Sequence, residues 1–287
     1  MKLGIGTVQF GLPYGVANQT GQINQAEAEK ILNHAWNAGI DTIDTAIAYG
    51  DSEKVLGNIG VNNWRVVSKL PVIPGSCKNI TQWVQDSIDK SLERLKISKL
   101  SGLLLHRSQQ LIESGGSELY QALVMLKNQG LVEKIGISIY GPDELDAIST
   151  SSYKLDLVQT PYNICDRRIV TSGWLEKLNS SGTEVHIRAV FLQGLLLMDP
   201  LKMPEKFDRW KLLWDRWYAW LDEQNVTALE ACLGFTISNL KVDRVLVGID
   251  SLVQLEEIIE ASQKQEIIVP HSFATDDTQL LNPVNWL

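Results

Sequence analysis

No run in the chain approaches the roughly 18 consecutive apolar residues of a membrane-spanning helix, and the opening MKLGIGTVQF holds no long apolar signal core. Cysteine is scarce. Cys77, Cys165 and Cys232 are odd in number and widely spaced, which excludes a disulfide framework and gives no metal-ligand spacing. They read as reduced thiols, so the expected compartment is the cytoplasm and no metal is implied. An excess of basic residues is missing too: 26 Lys and Arg stand against 34 Asp and Glu, a formal net charge of −8. This argues against a sequence-independent nucleic-acid surface and leaves no polybasic membrane patch. Linkers, low-complexity tracts and repeats longer than a strand-helix rhythm are also absent, so nothing requires a second domain.

What is present suits one large core. The 287 residues are 44% hydrophobic and 21% charged, within the size of a single barrel domain. Strand and helix signals alternate in eight pairs, with strands expected near residues 3–7, 41–45, 65–69, 101–105, 135–138, 155–159, 185–190 and 244–248. Several are short apolar runs rather than alternating ones, as parallel strands covered on both faces should be. Helix starts carry capping signals at Asn24 with Glu27, Asn79 with Gln82, Ser251 with Gln254, and Pro142 as a first-turn residue. The expected fold is α/β, a (β/α)8 TIM barrel in one domain.

Four residues fall where strands end: Asp44 and Tyr49 in DTAIAYG, Lys69 in VVSKL and His106 in LLLHR. In a βα barrel the carboxyl ends of the strands form the rim where catalytic residues gather. The types suit hydride transfer to a carbonyl, whose oxygen must gain a proton as it becomes an alkoxide. Tyr49 is the candidate donor. A free phenol, with a pKa of about 10, is a weak acid at neutral pH, and a neighbouring ammonium, here Lys69, favours its phenolate. A buried ammonium needs a partner, which Asp44 supplies. His106 can donate a hydrogen bond to the carbonyl oxygen. General acid catalysis of this kind is worth roughly 10² to 10⁴ in rate. Each residue alone has a plainer structural account; their order, spacing and DTAxxYG context carry the reading.

These motifs, with LGIGTVQFG at residues 3–11 and VLVGIDSLVQLEEI at 245–258, make the chain similar to the aldo-keto reductase superfamily over almost its whole length, including its aldose dehydrogenase-like bacterial members. The resemblance implies a (β/α)8 barrel and maps a catalytic tetrad onto Asp44, Tyr49, Lys69 and His106 without substitution. It implies NADP(H) or NAD(H), held without a Rossmann motif.

The cofactor residues follow from the same resemblance. GISIY at 136–140 resembles the end of the family's fifth strand, where Ser or Thr and then Asn hold the nicotinamide carboxamide. Here Ser138 is followed by Ile139, so Gln159 is expected to carry more of that contact, an amide being able to donate and accept at once. At the end of strand 7, where many relatives stack an aromatic residue under the nicotinamide, stands Arg188. It can stack, face an anionic substrate group or a pyrophosphate oxygen, or point outward to a carboxylate. Phe191, Gln193 and Gly194 in FLQGL resemble a phosphate-approaching loop. Gly248, Ser251, Gln254 and Glu257 resemble the adenosine-phosphate site, with the Ser251 helix opening toward phosphate. Basic residues for a 2′-phosphate are not evident there. Asp250, Glu256 and Glu257 would repel it, which makes NAD(H) more plausible than the family prior.

Residues 199–224 read as a Trp-rich insertion after strand 7. Trp210, Trp214, Trp217 and Leu221 share one helical face, extended by Leu213 and Trp220. The face packs an extra segment on the barrel, walls a substrate pocket, or forms a dimer surface. Asp166 to Arg168 read as a helix start or salt-bridge network, and Glu53 as the residue that fixes the loop bearing Tyr49. The tail, 264–287, folds over the rim with Trp286 near substrate, or frays.

The expected function is an oxidoreductase moving hydride between a nicotinamide and a small aldehyde, ketone or sugar, as a monomer or homodimer. Two alternatives stay open: a cofactor-binding regulatory barrel without turnover, and a barrel lyase or isomerase without cofactor.

Overall fold

Each short apolar run becomes a strand whose alternate side chains point outward, toward helices, and inward, toward the barrel axis. The computed structural model describes residues 1–18, 21–264 and 266–286. Its strands are β1 (Leu3–Gly6), β2 (Thr42–Asp44), β3 (Arg65–Leu70), β4 (Gly102–Leu105), β5 (Ile135–Ser138), β6 (Leu157–Pro161), β7 (Glu184–Arg188) and β8 (Arg244–Gly248). All pair in parallel in sequence order, and β8 closes on β1 in a register running from Leu3 opposite Val245 to Gly6 opposite Gly248. The expected α/β barrel is therefore the observed fold.

The longer helices are α1 (Gln25–Asn37), α2 (Ser52–Ile59), α3 (Ile80–Leu95), α4 (Gly116–Asn128), α5 (Asp143–Ile148), α6 (Trp174–Ser180), α7 (Lys211–Gln224), α8 (Ala228–Ile237) and α9 (Leu252–Ser262). The Asn24, Asn79 and Ser251 side chains each accept the backbone N–H three residues on, satisfying donors that the first turn leaves free. Outward residues such as Ile5, Ile43, Leu103, Ile137 and Val245 join the helices in the main core. Inside the barrel, Val67, Leu104 and Leu157 form a separate apolar plug. Space there is tight: a Cβ added to Gly102 would meet Leu157 Cδ2 at 3.0 Å. None of the described helices is long and apolar enough to cross a membrane.

Below the plug, ion pairs fill the amino-terminal mouth. Glu184 accepts from His186 Nε2 at 2.7 Å, from Arg65 at 3.4 Å and from Lys134. Burial alone would raise the Glu184 carboxyl, but the bonds from His186 and Lys134 outweigh it and hold it at about 2.

The Trp-rich stretch packs the chain end onto the barrel. Trp214 and Trp217 are buried in α7 and donate to the Phe207 and Leu196 carbonyls, both at 3.1 Å. Trp217 stacks on Trp220, with centroids 5.6 Å apart, and meets the Phe273 edge. Trp286 packs on Phe207, and Trp210 Nε1 donates to Asp277 at 3.0 Å. None of these tryptophans lines the main cavity, so the pocket-wall reading of the segment does not hold: their indoles are used up in this cluster. The tail does reach the rim, where Pro283 touches the cavity.

Removing the central indole should release this clamp. Trp217→Ala is expected to cost about 3–5 kcal/mol, read as a lower urea midpoint, with the chain end becoming the first site of proteolysis. An unchanged midpoint would show that the tail docks without it.

Candidate active site

β2, β3 and β4 are neighbours, so residues at their carboxyl ends meet. Lys69 is only 1% exposed, and an ammonium so buried needs acceptors. It has two: Asp44 Oδ2 at 2.6 Å and the Thr45 carbonyl at 3.0 Å. Its Nζ lies 5.1 Å from the centroid of the Tyr49 ring. On the other side of Tyr49 stands His106, ring centroids 5.8 Å apart and planes at 78°. Burial, and after it the Lys69 charge, push the His106 pKa down to about 4, with Asp44 opposing and Arg188 adding to the fall. The imidazole is thus neutral at pH 7 and keeps one N–H to donate.

The loop bearing Tyr49 is fixed from below. Glu53, in the first turn of α2, accepts from Ser68 and Ser91 at 2.7 Å each and from Arg94 through Nε and Nη2 at 2.9 and 2.6 Å. Ser52 Oγ donates to the Thr7 carbonyl at 2.9 Å. Gly11 packs on the backbone of Tyr49 so closely that a Cβ there would fall 1.7 Å from the Tyr49 carbonyl oxygen.

These side chains line a cavity of about 600 Å³ that runs across the rim to β8, within the range of small-molecule and cofactor sites. Ser138, Gln159, Arg188, Phe191, Gln193, Gly194, Gly248, Gln254 and Glu257 line it as well. Ser251 does not; its hydroxyl caps Gln254 N at 3.2 Å. Gln159 is fully buried, donating to Asp44 Oδ1 at 2.7 Å and accepting from Ser138 Oγ at 3.2 Å. Half of its bonding capacity is therefore spent within the protein. Arg188 points into the cavity, not outward, and among the described residues it has no carboxylate within ion-pair distance. The DRR segment is a network, with Arg168 held by Asp166 at 2.7 Å.

After β7 the backbone turns abruptly, Ala189, Leu192, Gln193 and Gly194 all having positive φ. Gln193 Nε2 then donates to Tyr14 Oη at 2.9 Å, and Gly194 lies where a Cβ would strike Ala17 at 2.5 Å. Residues 12–18 thus lie against the loop after β7, and Asn18 donates to Asp250 at 2.9 Å on the far side. Burial pushes the Asp250 carboxyl up, with bonds from Asn18 and Gln254 opposing. At the start of α9 the free N–H of Leu252 is already taken by Glu27 Oε1 at 2.9 Å. That bond holds the Glu27 carboxyl below its usual range.

Three lining or flanking residues carry no site role in the sequence reading: Gln9, Tyr14 and Glu27. Gln9 is 8% exposed, packs on Gly248, lines the cavity and leaves Oε1 without a partner among the described residues. A polar side chain in the apolar stretch GTVQF was the available hint. Glu27 reads as a local capping residue, and its contact lies 225 positions away.

The chain matches the model of the Aldo/keto reductase family over residues 2–268. It is 27% identical to an L-galactose dehydrogenase of Arabidopsis thaliana, over 99% of this chain and 93% of that protein. It is 26% identical to a D-threo-aldose 1-dehydrogenase of a Pseudomonas species, over 87% and 88%. Among solved structures, an aldo-keto reductase from Bacillus halodurans in its holo form superposes with a TM-score of 0.73, covering 99% of this chain and 91% of that one. At 20% identity that last likeness speaks to the fold.

The depressed His106 pKa has a thermodynamic consequence. Between pH 6.5, its ordinary value, and about 4, its folded value, the unfolded chain takes up a proton that the folded chain refuses. This share of the stability is complete above pH 6.5 and is lost as the pH falls toward 4. Urea unfolding of wild type and His106→Gln at pH 7 and pH 5 should differ in their pH dependence by roughly 2 kcal/mol. Parallel curves would mean that His106 protonates in place.

Proposed function

Because the chain belongs to the aldo/keto reductase family, an NAD(P)-linked carbonyl oxidoreductase family, we propose that the cavity at its rim is the site where a small aldehyde, ketone or sugar is reduced, or the corresponding alcohol oxidised. The observation that carries this reading is the fully buried Lys69, paired to Asp44, beside the Tyr49 ring, with a neutral His106 on its other side. In reduction Tyr49 Oη releases its proton to the substrate oxygen, and in oxidation it takes one back. Lys69 stabilises the negative charge left on the phenolic oxygen, and Asp44 keeps the ammonium pointed and charged. His106 gives its single N–H to the substrate oxygen and sets the angle at which the carbonyl presents itself. The names of two relatives support an aldose or a related sugar as substrate.

The cavity residues fit a dinucleotide. A Cβ on Gly194 would strike Ala17 and one on Gly248 the Gln9 amide, and Gln9 Oε1 is a buried acceptor without a donor among the described residues. Bound there, the cofactor supplies or accepts the hydride. Ser138 and the free half of the Gln159 amide would hold the nicotinamide end. Gly194 and the backbone of its loop would hold the middle, and Gly248, Gln254, Glu257 and Gln9 the adenosine end. We read the cofactor as NAD(H). At the β8 end the cavity offers Asp250, Glu257 and the Gln9 acceptor, and among the described residues its Lys and Arg are Lys69 and Arg188 at the other end. Acceptors suit ribose hydroxyls, whereas a 2′-phosphate would meet carboxylates and find Leu252 N already taken by Glu27.

Loss of dihydronicotinamide absorbance with an activated aromatic aldehyde tests both parts. Wild type should turn over, and Tyr49→Phe should be slower by roughly 10² to 10⁴. NADH should bind more tightly than NADPH, with Glu27→Ala narrowing the gap. Tighter NADPH binding by wild type would refute the cofactor assignment. Cofactor binding without turnover of any carbonyl would favour the regulatory barrel instead.

A further inference from the structure

Arg188 occupies a seat that several elements build. Its guanidinium lies over the Tyr140 ring, Cζ 4.7 Å from the centroid, and Nη2 donates to the Ile139 carbonyl at 3.0 Å. Tyr140 is itself braced on both sides of its peptide. Its N–H donates to Glu144 Oε1 at 2.6 Å, and its carbonyl accepts from Arg168 Nη2 at 2.8 Å. Glu144 is buried, its other oxygen accepting from Ser108, and Arg168 is anchored by the buried Asp166. Residues after β4, β5 and β6 thus combine to aim one guanidinium from the end of β7.

Among the described residues that guanidinium has no counter-charge within ion-pair distance. Among the described residues the other ammonium or guanidinium group in the cavity wall, Lys69, is matched by Asp44, whose second oxygen is occupied by Gln159. Asp250 and Glu257 belong to the β8 end. Of the five N–H donors of Arg188, the Ile139 carbonyl takes one. A half-buried charge without a partner is unfavourable, and a planar fork with free donors matches a carboxylate in two parallel bonds. One free positive charge balances a monoanion; a phosphate dianion would leave an excess.

We propose that Arg188 is a substrate-binding residue that receives a carboxylate carried by the carbonyl substrate, so that the preferred substrates are semialdehyde acids, keto acids or uronate-like sugars. The inference rests on the reductase reading of this cavity. It sets the carboxylate against Arg188 while the carbonyl oxygen meets Tyr49 and His106, which share the cavity wall with it. Neutral aldoses would then be the poorer class.

The test pairs two aldehydes of one skeleton, 4-carboxybenzaldehyde and methyl 4-formylbenzoate, in wild type, Arg188→Gln and Arg188→Lys. Wild type should favour the acid. In Arg188→Gln the ratio of kcat/KM for acid over ester should fall roughly 10- to 100-fold, through KM, and Arg188→Lys should restore part of it. Thermal melts establish that each variant is folded, and cofactor affinity is measured in parallel by fluorescence. An unchanged ratio overturns the proposal. So does an equal loss for both aldehydes together with weakened cofactor binding, which would assign Arg188 to the cofactor. If wild type reduces neither aldehyde, the reductase reading fails separately. Calorimetry with 4-(hydroxymethyl)benzoate on the cofactor-loaded protein then decides: binding lost in Arg188→Gln upholds the anion seat, and binding equal in both, or absent from wild type, overturns it.

Discussion

A fully buried ammonium is the constraint from which the rim of this barrel follows. Lys69 must be neutralised where it stands, and Asp44 does so with one oxygen while the other accepts from Gln159, which in turn accepts from Ser138. The chain of bonds Lys69–Asp44–Gln159–Ser138 draws on β3, β2, β6 and β5, and it crosses the barrel mouth. Buried ion pairs of this kind are seldom the cheapest route to stability, since apolar side chains of similar volume often do as well. What the pair does provide is a charged group held still, in a place where water cannot screen it, a few ångströms from a phenol ring.

The two ends of the barrel handle charge differently. At the amino-terminal mouth, the Glu184 carboxylate is surrounded by donors from His186, Arg65 and Lys134. At the carboxyl-terminal rim compensation is incomplete in two places, the Arg188 guanidinium and the Gln9 acceptor, and both face the cavity. Among the described residues two buried side-chain atoms lack a partner, Gln9 Oε1 and His186 Nδ1; only the first lines the cavity, where unmet bonding capacity points to a ligand. Its distribution also gives the cavity a polarity, cationic beside Tyr49 and His106 and acceptor-rich beside β8. A bound molecule with both kinds of group has one favourable direction.

The fold was legible because eight apolar runs recur at βα spacing, and boundaries moved only where tertiary detail intervened. β6 begins at Leu157 rather than 155, and just before it the Asp156 side chain accepts from Ile135 N and Lys127. β7 ends at Arg188 because Ala189 adopts φ 56°, which no strand accommodates. That Asp44, Lys69 and His106 stand at strand ends was readable, yet the role of Gln159 within the protein was not. Its polar type announces that it bonds, but not that Asp44 lies opposite it across the barrel mouth. The Trp-rich face showed the same limit: periodicity predicted a buried stripe, and only the path of the tail revealed what buries it. Gln9 and Glu27 were illegible for a like reason, each being defined by a contact more than two hundred residues away.

On the proposed reading, Glu27 joins closure of the barrel and choice of ligand in one feature. It stands in the first turn of α1, where its charge is favourable to the helix dipole, and it also bonds the first free N–H of α9. The first and last long helices are thereby tied across the seam where β8 meets β1. A helix amino terminus is a ready-made anion site, and here the protein fills it with its own carboxylate. Any phosphate arriving at that spot would have to displace a contact that joins the two ends of the fold. A ribose carrying only hydroxyls makes no such demand, because Asp250, Glu257 and Gln9 offer acceptors at the β8 end of the cavity. On the proposed reading, selection against a 2′-phosphate therefore needs no dedicated loop, since it follows from the contact that helps to close the barrel.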